Sequence, residues 1–270
     1  MAIKGRIGLV GGGNMGSALV KGLLAAGLAG ADQVVVAEQD QARRAALAAE
    51  TGVAVVASAG ELDNLAVLIL AVKPPDIPAC ARQAAGAVEP GSLVITLAAG
   101  VPLAKVAGAF DPDQPLVRAM PNTPALIGQG VTALAPGAGV GQADLTLATD
   151  IFGAVGQVVV VTEKALDAVT GLSGSGPAYV FLFIEALADA GVAQGLDRAI
   201  ALTLARQTVA GAARLAIESG EHPATLKDRV TSPGGTTISG LHVLERGGLR
   251  GLVMDAVAAA TDRSRELGES

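Results

Sequence analysis

Tryptophan is absent from this 270-residue chain, tyrosine occurs once and phenylalanine four times, so aromatics make up 2% of it. A core without large rings has to be built from Ala, Val and Leu. Small side chains let helices approach closely, which favours an extensive helix–helix interface. Cysteine is equally scarce. Cys80 stands alone, so no internal disulfide can form, and a reducing cytoplasmic location is the expectation. Its expected role is that of a small buried hydrophobe rather than a catalytic thiol. Only His222 and His242 are present and there are no cysteine pairs, so no metal site is expected. The net charge is −6 and no basic cluster occurs, which argues against nucleic acid as a partner. No uninterrupted apolar run reaches the roughly 18 residues that span a bilayer, so no membrane partner is expected. The first apolar stretch ends in Gly11-Gly12-Gly13-Asn14 and does not read as a signal peptide.

Hydrophobic residues are abundant, at 51%, and charged ones make up 16%, which is the composition of a globular chain with ample core. Up to Thr162, short apolar runs alternate with helical patterns. Strands are expected at Ile7–Val10, Val34–Ala37, Val53–Val55, Val67–Val72, Leu93–Leu97, Leu116–Ala119, Val131–Leu134 and Val158–Val161. Such alternation predicts an α/β class domain with a mostly parallel sheet, whose ligands bind at the carboxyl ends of the strands. After Thr162 the strand signals stop and every segment reads as helix. The expected organisation is therefore a Rossmann-like dinucleotide-binding domain over residues 1–162 and an all-helical domain over residues 163–270.

The first strand runs into Gly11-x-Gly13-x-x-Gly16, and a helical pattern follows. These glycines permit a tight turn, close approach to a pyrophosphate and close helix–strand packing. A second strand then ends in Glu38, 22 positions after Gly16, close to the spacing expected of an acid that holds a ribose. Gly11, Glu38, Lys73, Ala98 and Asn122 each follow a strand and are placed to converge on one sheet edge.

A second motif lies between two helical segments, at Ser232-Pro233-Gly234-Gly235-Thr236-Thr237. Proline and glycines stop the first helix, and the N–H groups of Gly235, Thr236 and Thr237 then open the next. A helix N-terminus of this kind suits a carboxylate or phosphate. The plainer alternative is a helix–loop–helix with Thr236 or Thr237 as N-cap.

With both motifs in place, the chain resembles the pyrroline-5-carboxylate reductases over nearly its whole length. The likeness also takes in Ala71-Val72-Lys73-Pro74, Ala98-Ala99-Gly100-Val101, Arg118-Ala119-Met120-Pro121-Asn122-Thr123-Pro124 and Gly174-Ser175-Gly176-Pro177-Ala178-Tyr179. The resemblance implies reduction of a cyclic imine, 1-pyrroline-5-carboxylate, to L-proline, with NAD(P)H as hydride donor. It implies that Thr237 donates to the ring nitrogen, and that Ser232, Gly234, Gly235, Thr236 and Thr237 hold the substrate. For the cofactor it implies Gly11, Gly13, Asn14, Met15, Gly16, Glu38, Ala71, Val72, Lys73, Pro74, Ala98, Ala99, Pro121 and Asn122. It also implies an intertwined helical homodimer, which some relatives extend to a ring of dimers. The apolar helix Pro177–Ala190 asks for burial at such an interface. Two departures stand out. Ala57-Ser58-Ala59 replaces an asparagine common in relatives after the third strand, and Glu38 is an acid that NADPH-preferring relatives usually lack. Glu38 therefore predicts use of NADH, with Arg43 and Arg44 as the groups that would oppose it by attracting a 2′-phosphate.

Simpler roles stand beside these. Lys73 reads equally as a solvated strand end, Asn122 as a turn cap, and Pro121 and Pro124 as strand terminators. His222 reads as a loop residue, and Glu185 and Asp189 as partners for arginines such as Arg206 or Arg214 in contacts at the subunit interface. A β-hydroxyacid dehydrogenase or another NAD(P)-dependent imine reductase would share the two-domain plan, but the hydroxyacid enzymes place a catalytic lysine on the first long helix of the helical domain. None occurs between Lys164 and Lys227.

Overall fold

Runs rich in valine, leucine and isoleucine become strands where both of their faces find cover. Residues 3 to 269 are described by the structure, a computed structural model; the expected domain ends at 1 and 270 lie outside them. The strands are β1 (Arg6–Val10), β2 (Val34–Ala37), β3 (Ala54–Val56), β4 (Leu65–Leu70), β5 (Val88–Thr96), β6 (Leu116–Met120), β7 (Gly130–Pro136) and β8 (Gly156–Val160). They form one sheet in the order β3-β2-β1-β4-β5-β6-β7-β8. Every neighbouring pair is parallel except β6 with β7, which is antiparallel. The carboxyl ends of β1 to β6 therefore share one edge.

The intervening helices are α1 (Asn14–Ala25), α2 (Gln41–Thr51), α3 (Ile77–Ala84), α4 (Leu103–Ala107), α5 (Gln142–Gly153) and the single turn α6 (Leu166–Val169). Two apolar layers cover the sheet. Leu19 and Leu23 of α1 and Phe152 of α5 pack with Ile7, Leu9 and Ile69 on one face. Ile77 and Ala81 of α3 and Val106 of α4 pack with Leu68, Leu70 and Val94 on the other. Strands buried on both faces need continuous rather than alternating apolar residues, and Leu65–Leu70 is such a run. β5 begins earlier than its apolar run because Val88 pairs with Leu65 ahead of the exposed Glu89, Pro90 and Gly91, where Gly91 at φ +79° accompanies a shift of register with β4 between Leu65 and Val67.

The helical part comprises α7 (Gly176–Ala193), α8 (Arg198–Ser219), α9 (Pro223–Arg229), α10 (Thr236–Arg246) and α11 (Leu249–Glu269). Asp197 caps α8, accepting from the Ala199 N–H at 2.8 Å, and Gly220 ends it in the left-handed region. The boundary between compact units differs from the expected one after Thr162. The first unit runs to Ser175 and resumes at Ala259, while Gly176–Ala258 forms the second. The reason lies in α6 and the π-type turn Thr170–Gly174. Leu166 is fully buried against Ala133 and Ala135 of β7, so this short segment belongs to the sheet's core.

In the second unit α7 and α8 pack on each other, yet Ala188 is the one buried residue of α7 among those described. Phe181 is 63% exposed and Leu182 67%. Although no uninterrupted apolar run of that length occurs, the helical stretch Glu163–Ala193 has a mean hydropathy of 1.4 in its most apolar window, of which 6% is buried. By length and composition alone such a helix could cross a membrane. Within one chain the acids of this helix and the two arginines have other surroundings. Asp189 pairs with Arg198, and Arg214 with Glu218 four residues on at 2.7 Å. Glu185 and Arg206 line one cleft without a recorded ion pair. His222 is not a free loop residue: its Nδ1 accepts from the Ala224 N–H at 3.2 Å and caps α9.

Candidate functional site

The turn between β1 and α1 takes the shape that its glycines allow. Gly11 has φ +105°, and a Cβ there would stand 2.7 Å from the Ala71 carbonyl oxygen. A Cβ on Gly16 would stand 2.0 Å from the Gly11 carbonyl oxygen. No side chain larger than hydrogen fits either place. Gly13, by contrast, has nothing within 4 Å of an added Cβ, so the outer side of the turn is open. Gly13 is the N-cap of α1 and offers no side-chain cap, which leaves the first N–H groups of the helix for an anion.

Two cavities flank this turn. One, of about 410 Å³, is lined by Gly11, Glu38, Arg43, Ala71, Val72 and Lys73, among others. The other, of about 540 Å³, is lined by Gly12, Gly13, Asn14, Arg43 and Lys73 with Leu126. Lys73 is exposed and borders both. Met15 packs partly against the core beside the turn. Pro74 opens the short helical turn that leads into α3. The expected convergence on one edge therefore holds for Gly11, Glu38 and Lys73. The shape and donors present fit a dinucleotide: an open glycine turn at a helix N-terminus, an acid at the end of β2, and a lysine and an arginine at the rim.

Glu38 is more constrained than its spacing implied. It is 9% exposed, and both carboxylate oxygens already hold backbone donors. Oε2 accepts from the Gly12 N–H at 2.9 Å and Oε1 from the Asp40 N–H at 2.9 Å. The acid thus joins the glycine turn to the start of α2, and each oxygen retains a lone pair toward the cavity. Asp40 caps α2, and the Arg43 N–H that it accepts at 2.8 Å holds its carboxyl below the usual range. Of the two arginines expected to compete for a phosphate, Arg44 is tied down, donating to the Glu38 and Gln39 carbonyls at 2.9 and 2.7 Å. Arg43 borders both cavities. Cys80 is half-buried and sits on the wall of the first cavity rather than inside the core. Burial, and Asp76 beside it, push its thiol up. Asp76, Ala79 and Gln83 join that wall from α3 and the turn before it. The proline pair Pro74-Pro75, which opens a helical turn directly after Lys73 and leads into α3, is the sequence signal that could have found them.

The remaining cofactor candidates are less open. Ala98 is 3% exposed within the second apolar layer and Ala99 is half-buried. Pro121 is buried. Asn122 precedes the helical turn Thr123–Ile127 without a side-chain cap bond to it, and its Oδ1 instead accepts from the Val131 N–H of β7 at 2.9 Å. Ser58, in the segment that replaces the asparagine, accepts from the Gly60 N–H at 3.2 Å.

The Ser232–Thr237 loop is exposed and sharply turned. The Gly235 N–H donates to the Ser232 carbonyl at 3.0 Å across Pro233 and Gly234, and Gly234 has φ +66°. Proline followed by a glycine at positive φ matches a type II turn. Two expectations are corrected here. Gly235, not a threonine, is the N-cap of α10, with no side-chain cap. The Gly235 N–H is also spent inside the turn, so it is not among the free donors. The N–H groups of Thr236 and Thr237 remain, with no partner among the described residues, at the positive end of an 11-residue helix. Thr237 is half-buried and its hydroxyl likewise has no described partner. Among the described residues no group of three or more His, Cys, Asp or Glu is placed to hold a metal ion.

Two family models match the chain. One is described as pyrroline-5-carboxylate reductase dimerisation and covers residues 163–267; the other, NADP oxidoreductase coenzyme F420-dependent, covers residues 6–100. The pyrroline-5-carboxylate reductase of Synechocystis sp. is 50% identical over 266 residues, covering 98% of both chains. The solved pyrroline-5-carboxylate reductase of Coxiella burnetii superposes with a TM-score of 0.92 at 37% identity, covering 99% of this chain and 100% of its own. The Plasmodium falciparum pyrroline carboxylate reductase, solved with NADP bound, gives a TM-score of 0.88 at 32% identity with the same coverage.

Proposed function

The chain belongs to the pyrroline-5-carboxylate reductase family, and from that premise we propose how its parts divide the work. The protein is an NAD(P)H-dependent oxidoreductase that reduces 1-pyrroline-5-carboxylate to L-proline, the last step of proline biosynthesis. The observation that carries its substrate assignment is the turn that opens α10, with two unpartnered N–H groups and the Thr237 hydroxyl at one helix end.

The substrate carboxylate sits at the Thr236 and Thr237 N–H groups, where helix polarity and two aligned donors favour an anion. The turn of Ser232, Gly234 and Gly235 holds these donors in place. The Thr237 hydroxyl donates to the ring nitrogen and fixes which carbon faces the donor. When bound, the reduced nicotinamide supplies the hydride. The imine nitrogen is readily protonated from solution, so the chain needs to position its substrate rather than acidify it. This agrees with a site that lacks histidine. On the cofactor side, the glycine turn and the start of α1 take the pyrophosphate. Lys73 neutralises it from the rim, and the segment at Ala98–Ala99 with Pro121 and Asn122 borders the nicotinamide.

For cofactor choice we propose that NADH is used well. Each oxygen of Glu38 keeps a lone pair for the ribose hydroxyls, and its charge opposes a 2′-phosphate. Arg44 keeps its charge but its Nη1 is engaged by two carbonyls, so Arg43, which borders both cavities, is the arginine better placed to favour NADPH. Self-association rests on the dimerisation segment, and we propose an obligate homodimer, with a ring of dimers as its extension. A cytoplasmic location is supported by the lone cysteine. The assay for this reading is oxidation of NADH and NADPH by the pure protein with pyrroline-5-carboxylate. Turnover of an open-chain 3-hydroxy acid instead would transfer the chain to the hydroxyacid dehydrogenases.

A further inference from the structure

We infer that Glu163 is a positioning residue for the cofactor's nicotinamide end, and that the buried Arg118 holds it in place. The inference rests on the reading of Ala98 and Ala99 as the wall of that subsite. The two alanines lie between Thr96, the last residue of β5, and Leu103, the first of α4. An initial helical N–H has no partner within its own helix. That of Leu103 is taken by Glu163 Oε1 at 2.7 Å, across 60 residues of sequence. The same oxygen lies 3.6 Å from Arg118 Nη1.

Arg118 is 5% exposed, and Glu163 is its one ion partner among the described residues; no hydrogen bond to another group is recorded for it. A buried guanidinium deprived of its counter-charge is costly. The carboxylate is therefore pinned between a charge it cannot leave and a backbone donor it holds strongly. Arg118 is also the register partner of Thr96 on the neighbouring strand, so the pin stands where the segment departs. Thr96 Oγ1 is itself buried with no partner.

The segment is gripped at its middle as well. Gly100 has φ +74°, and a Cβ there would lie 3.0 Å from Leu267 Cβ and 3.1 Å from the Ser264 carbonyl oxygen. Ser264 is 3% exposed, and its hydroxyl donates to Asp167 Oδ1 at 2.7 Å. Glu163 thus holds the segment at Leu103, while Asp167, one helical turn on, bonds the α11 residue that crowds Gly100. Both open the segment that matches the dimerisation model. Neither lines the cavity of Glu38 and Arg43, so the adenosine end is held independently. Hydride transfer is sensitive to displacements of about 1 Å, which gives this placement its consequence.

The test compares two ligands by titration calorimetry on the full-length protein: NADH, and ADP-ribose, which lacks the nicotinamide. Glu163→Ala should weaken NADH about tenfold, as expected for one charge-assisted hydrogen bond, and change ADP-ribose by less than about twofold. Glu163→Gln keeps an acceptor for the Leu103 N–H and should weaken NADH only about threefold, again sparing ADP-ribose. Equal effects on both ligands, or on neither, overturn the inference. Should Glu163→Ala fail to fold, an unchanged NADH to ADP-ribose ratio in Glu163→Gln overturns it alone. Ala99→Leu crowds the proposed wall directly and separates the two failures. If it too leaves the ratio unchanged, the reading of the wall falls and the inference with it. If it alters the ratio while the Glu163 variants do not, the wall stands and the pin is wrong.

Discussion

Thr237 combines three properties that no other residue of its loop shares: a free N–H, a free hydroxyl and partial burial at a helix N-terminus. Removing the hydroxyl should cost one oriented hydrogen bond. Thr237→Ala is expected to lower kcat/KM about tenfold to a hundredfold, or roughly 1.5–3 kcal/mol, with the NADH dissociation constant unchanged. Steady-state kinetics and a cofactor titration check both halves; an unaltered kcat/KM would leave Thr237 a helix residue and nothing more. Glu38 carries a different expectation, because its carboxylate also ties down the Gly12 N–H. Glu38→Ser should weaken both cofactors yet raise the ratio of NADPH to NADH use, since it removes a repulsive charge together with a structural bond. Arg43→Ala should lower kcat/KM for NADPH and leave that for NADH within about twofold. A tenfold preference of the native protein for NADPH would show that Arg43 outweighs Glu38. The glycine spacing made Glu38 legible in the sequence. Its clamp on Gly12 was not, because a hydrogen bond between two loops leaves no periodic trace.

Helix α7 shows how much an element's composition alone can say. A helix apolar on every side has to be covered on every side. Within one chain α8 covers a part of it, and Phe181 and Leu182 stay mostly exposed. The match of residues 163–267 to a dimerisation model accounts for that surface better than lipid does. Glu185 and Asp189 on the same helix would be costly in a bilayer. Leu182→Asp should therefore yield monomer in sedimentation at micromolar concentration, where the native protein should sediment at twice its 26.5 kDa chain mass. A native protein that sediments as a stable monomer would remove the interface. Elements with a clear pattern were legible at this scale. β2 falls at Val34–Ala37 as its valines imply, and Asp197 and Gly220 bound α8. Patterns failed where contacts distant in sequence decide. Val88 at the start of β5 pairs with Leu65 of β4 ahead of the exposed Glu89, Pro90 and Gly91, and Leu166 joins the sheet's core through β7. The capping of α10 by Gly235 rather than a threonine follows from the turn through Gly234 at positive φ.

At the scale of the whole molecule, six strands that point one way bring the residues proposed for the cofactor to a single edge, and the helical unit carries the turn proposed for the substrate carboxylate and an apolar surface on a segment that matches a dimerisation model. The alternating strands and helices were enough for the α/β class. The glycine turn and the Ser-Pro-Gly-Gly-Thr-Thr loop were legible as motifs, and the roles proposed for them rest on the experiments named here. The boundary of the compact units was not legible, since α6 looks like its helical neighbours until its partners are known. The central claim is that this chain delivers hydride from a nicotinamide to a cyclic imine that bears a carboxylate. The most direct measurement follows absorbance of the reduced nicotinamide at neutral pH with the pure protein and pyrroline-5-carboxylate, with L-proline identified as the product. The account predicts consumption of NADH matched one to one by L-proline, and its loss by tenfold or more in kcat/KM for Thr237→Ala. No oxidation of either NADH or NADPH with this imine would contradict it.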